Sequence, residues 1–338
     1  MGQSVVDGSG WPAGGTEVFP RIETEIVSAE RPETAEDLTA DRLLRRRREA
    51  PRHGWRRLLY TMSAHRLRPP ESAAERRRRA LRGRAEVAVA GGHHRVAVLS
   101  LKGGVGKTTT TVTLGATLAE VRGDRVIAVD ANPDRGTLAD RVHRETGASV
   151  RDLLAERHRI GRYADARAFT SQASSRLEVL ASDPDPAVSR EFDAADYAAV
   201  AGILERYYSI ALTDCGTGLL YSVTAGVLDL ADQIVLVAAP SVDGARSASA
   251  TLDWLDAHDR RDLVRDAVVV LSSVHSRARV DVDGIEEHFA ARTRAVARIP
   301  YDAHLADGAE VVPAQLSPRT ADAYLELAAI VADRFPGR

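Results

Sequence analysis

Lysine is almost missing from this chain of 338 residues, in which arginine supplies nearly every positive charge. Of the 46 basic residues only two are lysines, Lys102 and Lys107, and both lie in one glycine-rich segment, residues 100–110. Either cation serves at a solvated surface, but a loop that binds phosphate favours a compact ammonium on a flexible stem over a planar guanidinium. The two lysines therefore indicate a phosphate-binding segment.

Other absences exclude whole classes of protein. The single cysteine, Cys215, excludes a disulfide framework and a cysteine cluster for a metal, and we expect it to be a packing residue rather than a redox switch. The sequence has no run of about 18 apolar residues, the length that a membrane-spanning helix needs. Its first 20 residues lack the basic start and apolar core of a secretory signal. A cytoplasmic protein is expected, and the formal net charge of −2 does not predict a polyanionic partner for the chain as a whole.

The net charge of the whole chain is near zero, but two oppositely charged segments precede the apolar part of the chain. Residues 1–41 carry nine carboxylates against two arginines and few large apolar residues, so we expect an acidic disordered segment. Residues 42–84 carry sixteen arginines against three glutamates, with aromatic residues at Trp55 and Tyr60. Residues 42–90 are predicted to be an arginine-rich arm with short helices. It is either a solvated tail or a docking element for an acidic protein surface, anionic lipid or nucleic acid.

Short apolar runs alternate with helical patterns from residue 91 to the end of the chain. Strands are predicted at residues 95–100, 124–130, 177–181, 210–214, 233–239, 267–272 and 295–299, with helices between them, for example at residues 108–121, 194–208 and 244–258. Alternation of this kind is typical of a parallel sheet that is covered on both faces. The predicted fold is therefore α/β, with three layers, over residues 91–338.

A glycine-rich loop follows the first predicted strand and precedes a helix, as a phosphate-binding loop does. Its order, Lys-Gly-Gly-Val-Gly-Lys-Thr-Thr, modifies the pattern G-x-x-x-x-G-K-[ST]. The glycines let backbone N–H groups turn toward phosphate, and the helix terminus adds partial positive charge. Lys107 is expected to reach the β and γ phosphates and Thr108 to bind Mg²⁺. The predicted nucleotide-binding set is Lys102, Gly103, Gly104, Val105, Gly106, Lys107, Thr108 and Thr109.

The lysine at the start of this loop makes it similar to the deviant Walker A motif of the ParA/MinD family, in the SIMIBI class of P-loop ATPases. The resemblance extends to residues 210–218, a predicted strand that ends at Asp214 and is followed by Gly216 and Gly218, which match the family's switch II. It implies ATP and Mg²⁺ as cofactors, with Asp214 and Thr108 as the metal-binding residues. It also implies a homodimer in the ATP state, in which Lys102 reaches the phosphates of the partner. An aspartate at a strand end beside the loop suits this role physically, and a turn-capping aspartate is the alternative.

One departure from the family pattern bears on catalysis. Where the family has Asp-x-Asp after a strand, Asp130 matches the first aspartate, and Asn132, the only asparagine in the chain, replaces the second. In the family that second residue positions the attacking water. Asparagine orients water by hydrogen bonding but cannot accept its proton. Either ATP hydrolysis is slow and the protein is a long-lived switch, or Asp134 takes over. The predicted catalytic residues are Lys102, Lys107, Asp130, Asn132 and Asp134.

Base recognition departs from the family as well. Ser272 and Ser273 stand where the family has an asparagine, and no Asn-Lys-x-Asp motif for guanine is present. The resemblance places Pro300, Tyr301 and Asp302 beside the adenine. The expectation of ATP therefore rests on the resemblance rather than on identified base contacts.

Charge decides between the branches of the family. The C-terminal segment, residues 321–335, is apolar on one side but acidic rather than basic, which disfavours membrane binding of the MinD kind. Residues 91–338 have a net charge of −7, which disfavours DNA binding by the ATPase body and leaves the arm as the only candidate.

Residues 122–138, 214–219, 241–246 and 299–305 are similar to the MinD/ParA-like ATPases of actinobacterial type VII (ESX) secretion systems. This resemblance implies a cytoplasmic regulator or accessory, whose arm binds a protein of the secretion apparatus that recruits it to the inner face of the membrane. A ParA-like partitioning or positioning ATPase that binds DNA through the arm is the first alternative. A metabolic P-loop ligase of the same fold is the second, disfavoured because the other loops show no cluster of catalytic side chains.

Overall fold

The computed structural model describes Met62 and residues 71–133, 136–185, 192–275 and 280–335. The predicted acidic segment and most of the predicted arm lie outside the described residues, and so does Asp134. The described chain from Glu71 onward forms one compact unit.

The centre of this unit is a sheet of eight strands in the described residues. The strands are β1 (His94–Leu99), β2 (Val126–Ala131), β3 (Ser171–Gln172), β4 (Glu178–Leu180), β5 (Ile210–Cys215), β6 (Gln233–Ala238), β7 (Val268–Val274) and β8 (Ala295–Pro300). Their order across the sheet is β3-β4-β2-β5-β1-β6-β7-β8, and all neighbours are parallel except β3 and β4. The carboxyl ends of the parallel strands therefore meet at one edge, which we call the carboxyl edge.

Helices connect the strands and cover both faces. They are α1 (Ala73–Ala85), α2 (Lys107–Val121), α3 (Val150–Ala155), α4 (Tyr163–Arg167), α5 (Ala194–Leu204), α6 (Ser222–Leu230), α7 (Val242–Ala257), α8 (Arg261–Arg265), α9 (Val282–Ala290), α10 (Ala303–Ala306) and α11 (Pro318–Ala332). None of the helices in the described part of the chain is long and apolar enough to cross a membrane.

Burial explains this layered arrangement. Every residue of β2 and of β6 is buried, as expected for strands covered on both faces. Alternate strand residues belong to two separate cores: Ala97 and Leu99 face one, and Val96 and Val98 face the other. The first core includes residues of α3 and α5 to α7, and the second includes residues of α2 and α11. The predicted three-layer α/β fold is confirmed.

The end of the predicted arm packs on the body. Ser72 caps α1 by accepting from the N–H of Glu75, whose side chain in turn accepts from the Ser72 backbone. Leu81 and Ala85 of this helix are buried, and Leu81 packs with residues of α11. Arg78 and Arg84 also form ion pairs with Asp322 and Asp333. The segment from residue 71 to residue 85, although rich in arginine, thus packs on the rest of the compact unit.

Candidate nucleotide-binding site

The loop between β1 and α2 has the backbone geometry that a phosphate cradle needs. Gly104 and Gly106 have φ angles of 75° and 91°, in the left-handed region that favours glycine. Gly106 also lies against Ser272, whose Oγ would be 2.8 Å from a Cβ at position 106. Val105 turns into the core, while Gly103 and Gly104 remain exposed. The helix then begins at Lys107, so its first N–H groups border the loop.

Asp214 brings together side chains from the start of α2. Its Oδ1 lies 2.6 Å from the Nζ of Lys107, and its Oδ2 accepts a hydrogen bond of 2.7 Å from the hydroxyl of Thr108. The hydroxyl of Thr111 is 3.2 Å from the same carboxylate. Lys107 and Asp214 are both buried, and a buried charge is costly unless it has a partner of opposite sign. We call these four residues the Asp214 cluster; the two oxygens of Thr108 and Asp214 are hard donors that suit Mg²⁺.

Asp130 lies beside this cluster and organises the loop that carries Asn132. It is opposite Asp214 in the register of β2 and β5, and it is almost fully buried. Burial raises the pKa of Asp130 to about 7, and the nearby carboxylate of Asp214 acts in the same direction. Its carboxylate accepts hydrogen bonds of 3.1 Å from the backbone N–H groups of Asn132 and Leu138. Asp130 therefore fixes the loop rather than presenting a free carboxylate.

Asn132 lies against the glycine of the predicted switch II. A Cβ at position 216 would be 3.3 Å from Oδ1 of Asn132 and 2.8 Å from the ring of Pro133, so Gly216 permits this close approach. Gly218 is likewise covered by the ring of Tyr221, 2.5 Å from an added Cβ. The structure thus brings the predicted catalytic asparagine next to the segment that follows Asp214.

Lys102 lies outside the Asp214 cluster. Its ammonium forms an ion pair with Asp243, in the first turn of α7, and this hydrogen bond lowers the pKa of Asp243 below its usual value. The side chains of Lys102 and Asp243 are 47% and 77% exposed, so water screens the pair and its net contribution to stability is small. The two lysines of the chain are therefore held in different ways, one buried and one accessible.

The three residues predicted to line the adenine base of the nucleotide differ in how exposed they are. Asp302 is buried and accepts hydrogen bonds from the N–H groups of His304 and Ser317, so it organises its own loop. Pro300 ends β8. Tyr301 is 47% exposed and stacks on His275, with ring centroids 4.5 Å apart and an interplanar angle of 24°.

Three residues of this region were not predicted from the sequence. Thr111 follows Lys107 by four residues, one helical turn, and this spacing could have revealed it. Asp243 is 141 residues from Lys102, and no local pattern connects them. His275 meets Tyr301 only because β7 and β8 are neighbours in the sheet.

Comparison with known sequences agrees with this geometry. Residues 96–311 match the family described as the CobQ/CobB/MinD/ParA nucleotide binding domain. The chain is also 41% identical over 247 residues to the ESX-1 secretion-associated protein EspI of Mycobacterium tuberculosis (strain ATCC 25618 / H37Rv). That match covers 72% of this chain and 37% of EspI, so the chain spans little more than a third of this relative's length.

Solved structures show the same fold. A ParA family ATPase from Chlorobium tepidum TLS superposes with a TM-score of 0.61 at 19% identity, covering 71% of this chain and 98% of the other. The septum site-determining protein MinD of Pyrococcus horikoshii OT3, in complex with Mg-ADP, gives a TM-score of 0.56 at 20% identity and covers 70% and 94%. At such low identity the likeness concerns the fold alone.

Proposed function

Because the chain belongs to the CobQ/CobB/MinD/ParA nucleotide-binding family, we propose that it is a switch that binds Mg²⁺ and ATP, dimerises in that state and hydrolyses ATP slowly. The Asp214 cluster is the observation that carries this proposal. It places one buried ammonium, two hydroxyls and one carboxylate at the end of a glycine loop and at the start of a helix.

Lys107, Thr108 and Asp214 have separate roles when nucleotide binds. The ammonium of Lys107 exchanges Asp214 for the β and γ phosphates, which are the stronger anionic partners. The carboxylate of Asp214, released from this lysine, and the hydroxyl of Thr108 then hold the metal shell. Bound Mg²⁺ neutralises the charge of the phosphates. The N–H groups of the loop and of the first turn of α2 donate to the phosphate oxygens.

Lys102 is the residue through which dimerisation would be linked to ATP. An accessible ammonium in an exposed ion pair can leave Asp243 for a more highly charged anion. The triphosphate of a second subunit is such an anion. Asp243 then holds Lys102 in the monomer, and the dimer forms when phosphate replaces that carboxylate.

Slow hydrolysis follows from Asn132. Its amide can orient a water molecule but cannot take the proton as the water attacks. We assign the neighbouring Asp130 a structural role, because it is buried and its carboxylate accepts two backbone hydrogen bonds that hold the loop of Asn132. In this proposal the site binds ATP through Lys107, Thr108 and the N–H groups of the loop, and Asn132 supplies no base for hydrolysis.

The likeness to EspI supports a role as an accessory of type VII secretion. We propose that the arginine-rich residues before Glu71 contact an acidic protein of the secretion apparatus, which would bring this chain to the inner face of the membrane. Within α1, arginines at positions 77, 78 and 84 already pair with carboxylates of α11 and its C-terminal cap, which leaves this helix a weaker candidate for binding DNA or anionic lipid.

Binding of Mg-ATP tests the nucleotide assignment. We expect isothermal titration to show one site per chain in the wild type and at least a hundredfold weaker binding in Lys107→Ala, since a charge-assisted contact inside a buried cluster is lost. Lys102→Ala is the matched lysine control and should bind ATP within a few-fold of the wild type. Equal affinity in Lys107→Ala and the wild type would contradict the assignment. A pull-down of partners with the wild type and with Lys107→Ala would then show whether binding of the secretion partner depends on ATP.

A further inference from the structure

Four consecutive threonines follow Lys107 at the start of α2, at residues 108–111, and the last of them is fully buried. The Oγ1 of Thr111 lies 3.0 Å from the carbonyl oxygen of Lys107 and 3.2 Å from Oδ1 of Asp214. A hydroxyl has a single proton to donate. Thr111 therefore has two acceptors for one proton and can donate to only one of them at a time.

The oxygen Oδ1 of Asp214 also has a stronger donor. In the described part of the chain, the side chains that donate to it are Lys107, with Nζ at 2.6 Å, and Thr111. A charged ammonium is a stronger donor than a neutral hydroxyl. While this ion pair is intact, the proton of Thr111 can stay on the carbonyl of Lys107, one helical turn earlier. Asp214 therefore does not need Thr111 as long as Lys107 stays in place.

The need for Thr111 arises when Lys107 moves to phosphate. Oδ1 of Asp214 would then be a buried, charged oxygen without a donor, which is costly. Rotation of the Thr111 hydroxyl about its Cβ–Oγ1 bond transfers the hydrogen bond from the carbonyl to Oδ1 without moving a heavier atom. The carbonyl of Lys107 still accepts the N–H of residue 111 in the pattern of an α-helix, so it is not left unsatisfied.

We propose that Thr111 is a positioning residue, which replaces Lys107 as the donor to Asp214 when nucleotide binds. The replacement keeps Oδ1 satisfied and leaves Oδ2 directed toward the hydroxyl of Thr108, where these two oxygens hold the metal shell. The inference rests on the proposed binding of nucleotide at the Asp214 cluster. It adds to that function the residue that lowers the cost of releasing Lys107.

Thr113 provides a matched control on the same helix. It is also fully buried, and its hydroxyl donates over 2.7 Å to the carbonyl of Thr109, four residues earlier. Thr113→Val therefore removes the same kind of bond to the helix backbone that Thr111→Val removes. An effect that appears in Thr111→Val and not in Thr113→Val comes from the carboxylate of Asp214.

Titration of the full chain with the Mg²⁺ complex of the β,γ-imido analogue of ATP tests this role. Thr111→Val keeps the shape of the side chain and loses the hydroxyl, so it should bind the analogue about tenfold more weakly than the wild type. Thr111→Ser restores a hydroxyl and should bind within about threefold of the wild type. Without nucleotide, Thr111→Val should unfold close to the wild-type temperature, because Lys107 then holds Asp214.

A double-mutant cycle with Lys107→Ala separates positioning from a general structural role. In Lys107→Ala the ammonium is absent before and after binding, so Thr111 donates to Asp214 in both states. Adding Thr111→Val to that variant should change the affinity by less than about twofold. The same loss in both backgrounds would overturn the inference, because Thr111 would then act independently of Lys107.

Other outcomes also distinguish this inference from the proposed function. Wild-type affinity in Thr111→Val, or a much lower unfolding temperature of that variant without nucleotide, would overturn the positioning role and leave the nucleotide site intact. Wild-type affinity in Lys107→Ala would instead overturn the proposed function itself, and the inference with it.

Discussion

At the scale of single residues, the proposed slow hydrolysis of ATP depends on Asn132. Its backbone N–H donates to Asp130, and its side-chain oxygen lies beside Gly216. An asparagine at this position can orient the attacking water, whereas an aspartate could also accept its proton. The rate of hydrolysis is therefore the property most sensitive to this residue.

Restoring a carboxylate should speed the reaction. We expect Asn132→Asp to raise the single-turnover rate of ATP hydrolysis at least tenfold, because a general base of this kind contributes on the order of a hundredfold or more. Asn132→Ala, which removes the amide without adding a base, should be no faster than the wild type. An unchanged rate in Asn132→Asp would mean that another group already takes the proton, and the protein would not be a slow switch.

Some contacts of the candidate site follow from residue types and local spacing. Lys107, Thr108 and Asp214 were expected to share one nucleotide, and the structure joins them through hydrogen bonds. Two features could not be predicted, because they depend on contacts between distant segments. The carboxylate that holds Lys102 comes from α7, and Asp302, expected near the base, is occupied by the backbone of its own loop.

At the scale of elements, α1 and α11 form a parallel pair in which apolar contacts and ion pairs contribute unequally. Arg78, in the middle of α1, pairs with Asp322 near the start of α11. Arg84, near the end of α1, pairs with Asp333 at the end of α11, so both helices run in the same direction. All four side chains are about 40% exposed or more, and pairs of this kind contribute about 0–1 kcal/mol each. Buried Leu81 and Ala85, and the two hydrogen bonds of 2.7 Å from Arg122 to the carbonyls of Ala85 and Val87, hold the helix more firmly.

Shortening the buried side chain should therefore free α1. We expect Leu81→Ala to weaken the docking of this helix by about 2 kcal/mol, because it leaves a cavity against α11. Limited digestion with trypsin, which cuts after arginine, measures the change: cleavage within residues 76–84 should accelerate about tenfold or more. Arg79→Ala is the matched control, since this side chain is 59% exposed and pairs only with Glu71. Equal cleavage of Leu81→Ala and the wild type would show that the ion pairs hold α1.

A buried histidine links β1 to the end of the chain and should make stability depend on pH. The ring of His94 meets Phe335 edge to face, with centroids 4.9 Å apart, and its Nε2 lies 3.4 Å from the side-chain oxygen of Gln233. Burial lowers the pKa of His94 below its usual value, although Asp232 opposes the shift, while Arg334 and His93 add to it.

The sign of the effect follows from proton binding. Below a pH of about 6.5 the unfolded chain protonates this histidine while the folded chain does not, so the free energy of unfolding falls as the pH falls. We expect the loss of stability between pH 7.5 and pH 5.5, measured by urea unfolding, to be smaller in His94→Gln, which cannot titrate. Carboxylates titrate in both proteins and cancel in the comparison. The same loss in both would contradict a neutral His94 in the folded state.

At the scale of the whole molecule, alternation of strands and helices predicted the architecture closely. The apolar run predicted at residues 210–214 is β5, and the one at residues 233–239 is β6 with one residue fewer. The docking of α1 on α11 was not predicted from the sequence. An arginine-rich helix with few apolar residues has no pattern that indicates which element it packs against. The short edge strand β3 has two residues, too few for a pattern.

In the proposed switch the two lysines have separate roles: one binds the nucleotide, and the other contacts a second subunit. Lys107 is buried with Asp214, whereas Lys102 is accessible and can exchange its carboxylate for phosphate. In the switch that we propose, one subunit would bind ATP alone and would respond to it in a dimer. Asp243→Ala removes the competing carboxylate and should lower the ATP concentration at which the dimer forms.

Light scattering of the full chain during size-exclusion chromatography tests this claim most directly. With Mg-ATP the wild type should elute as a dimer and without nucleotide as a monomer. Lys102→Ala should remain a monomer at ATP concentrations that saturate its own site in a parallel titration. Lys102→Arg should dimerise poorly, since a guanidinium does not fit the space of an ammonium. A dimer of Lys102→Ala that forms with ATP as readily as the wild type would contradict the assignment of this lysine.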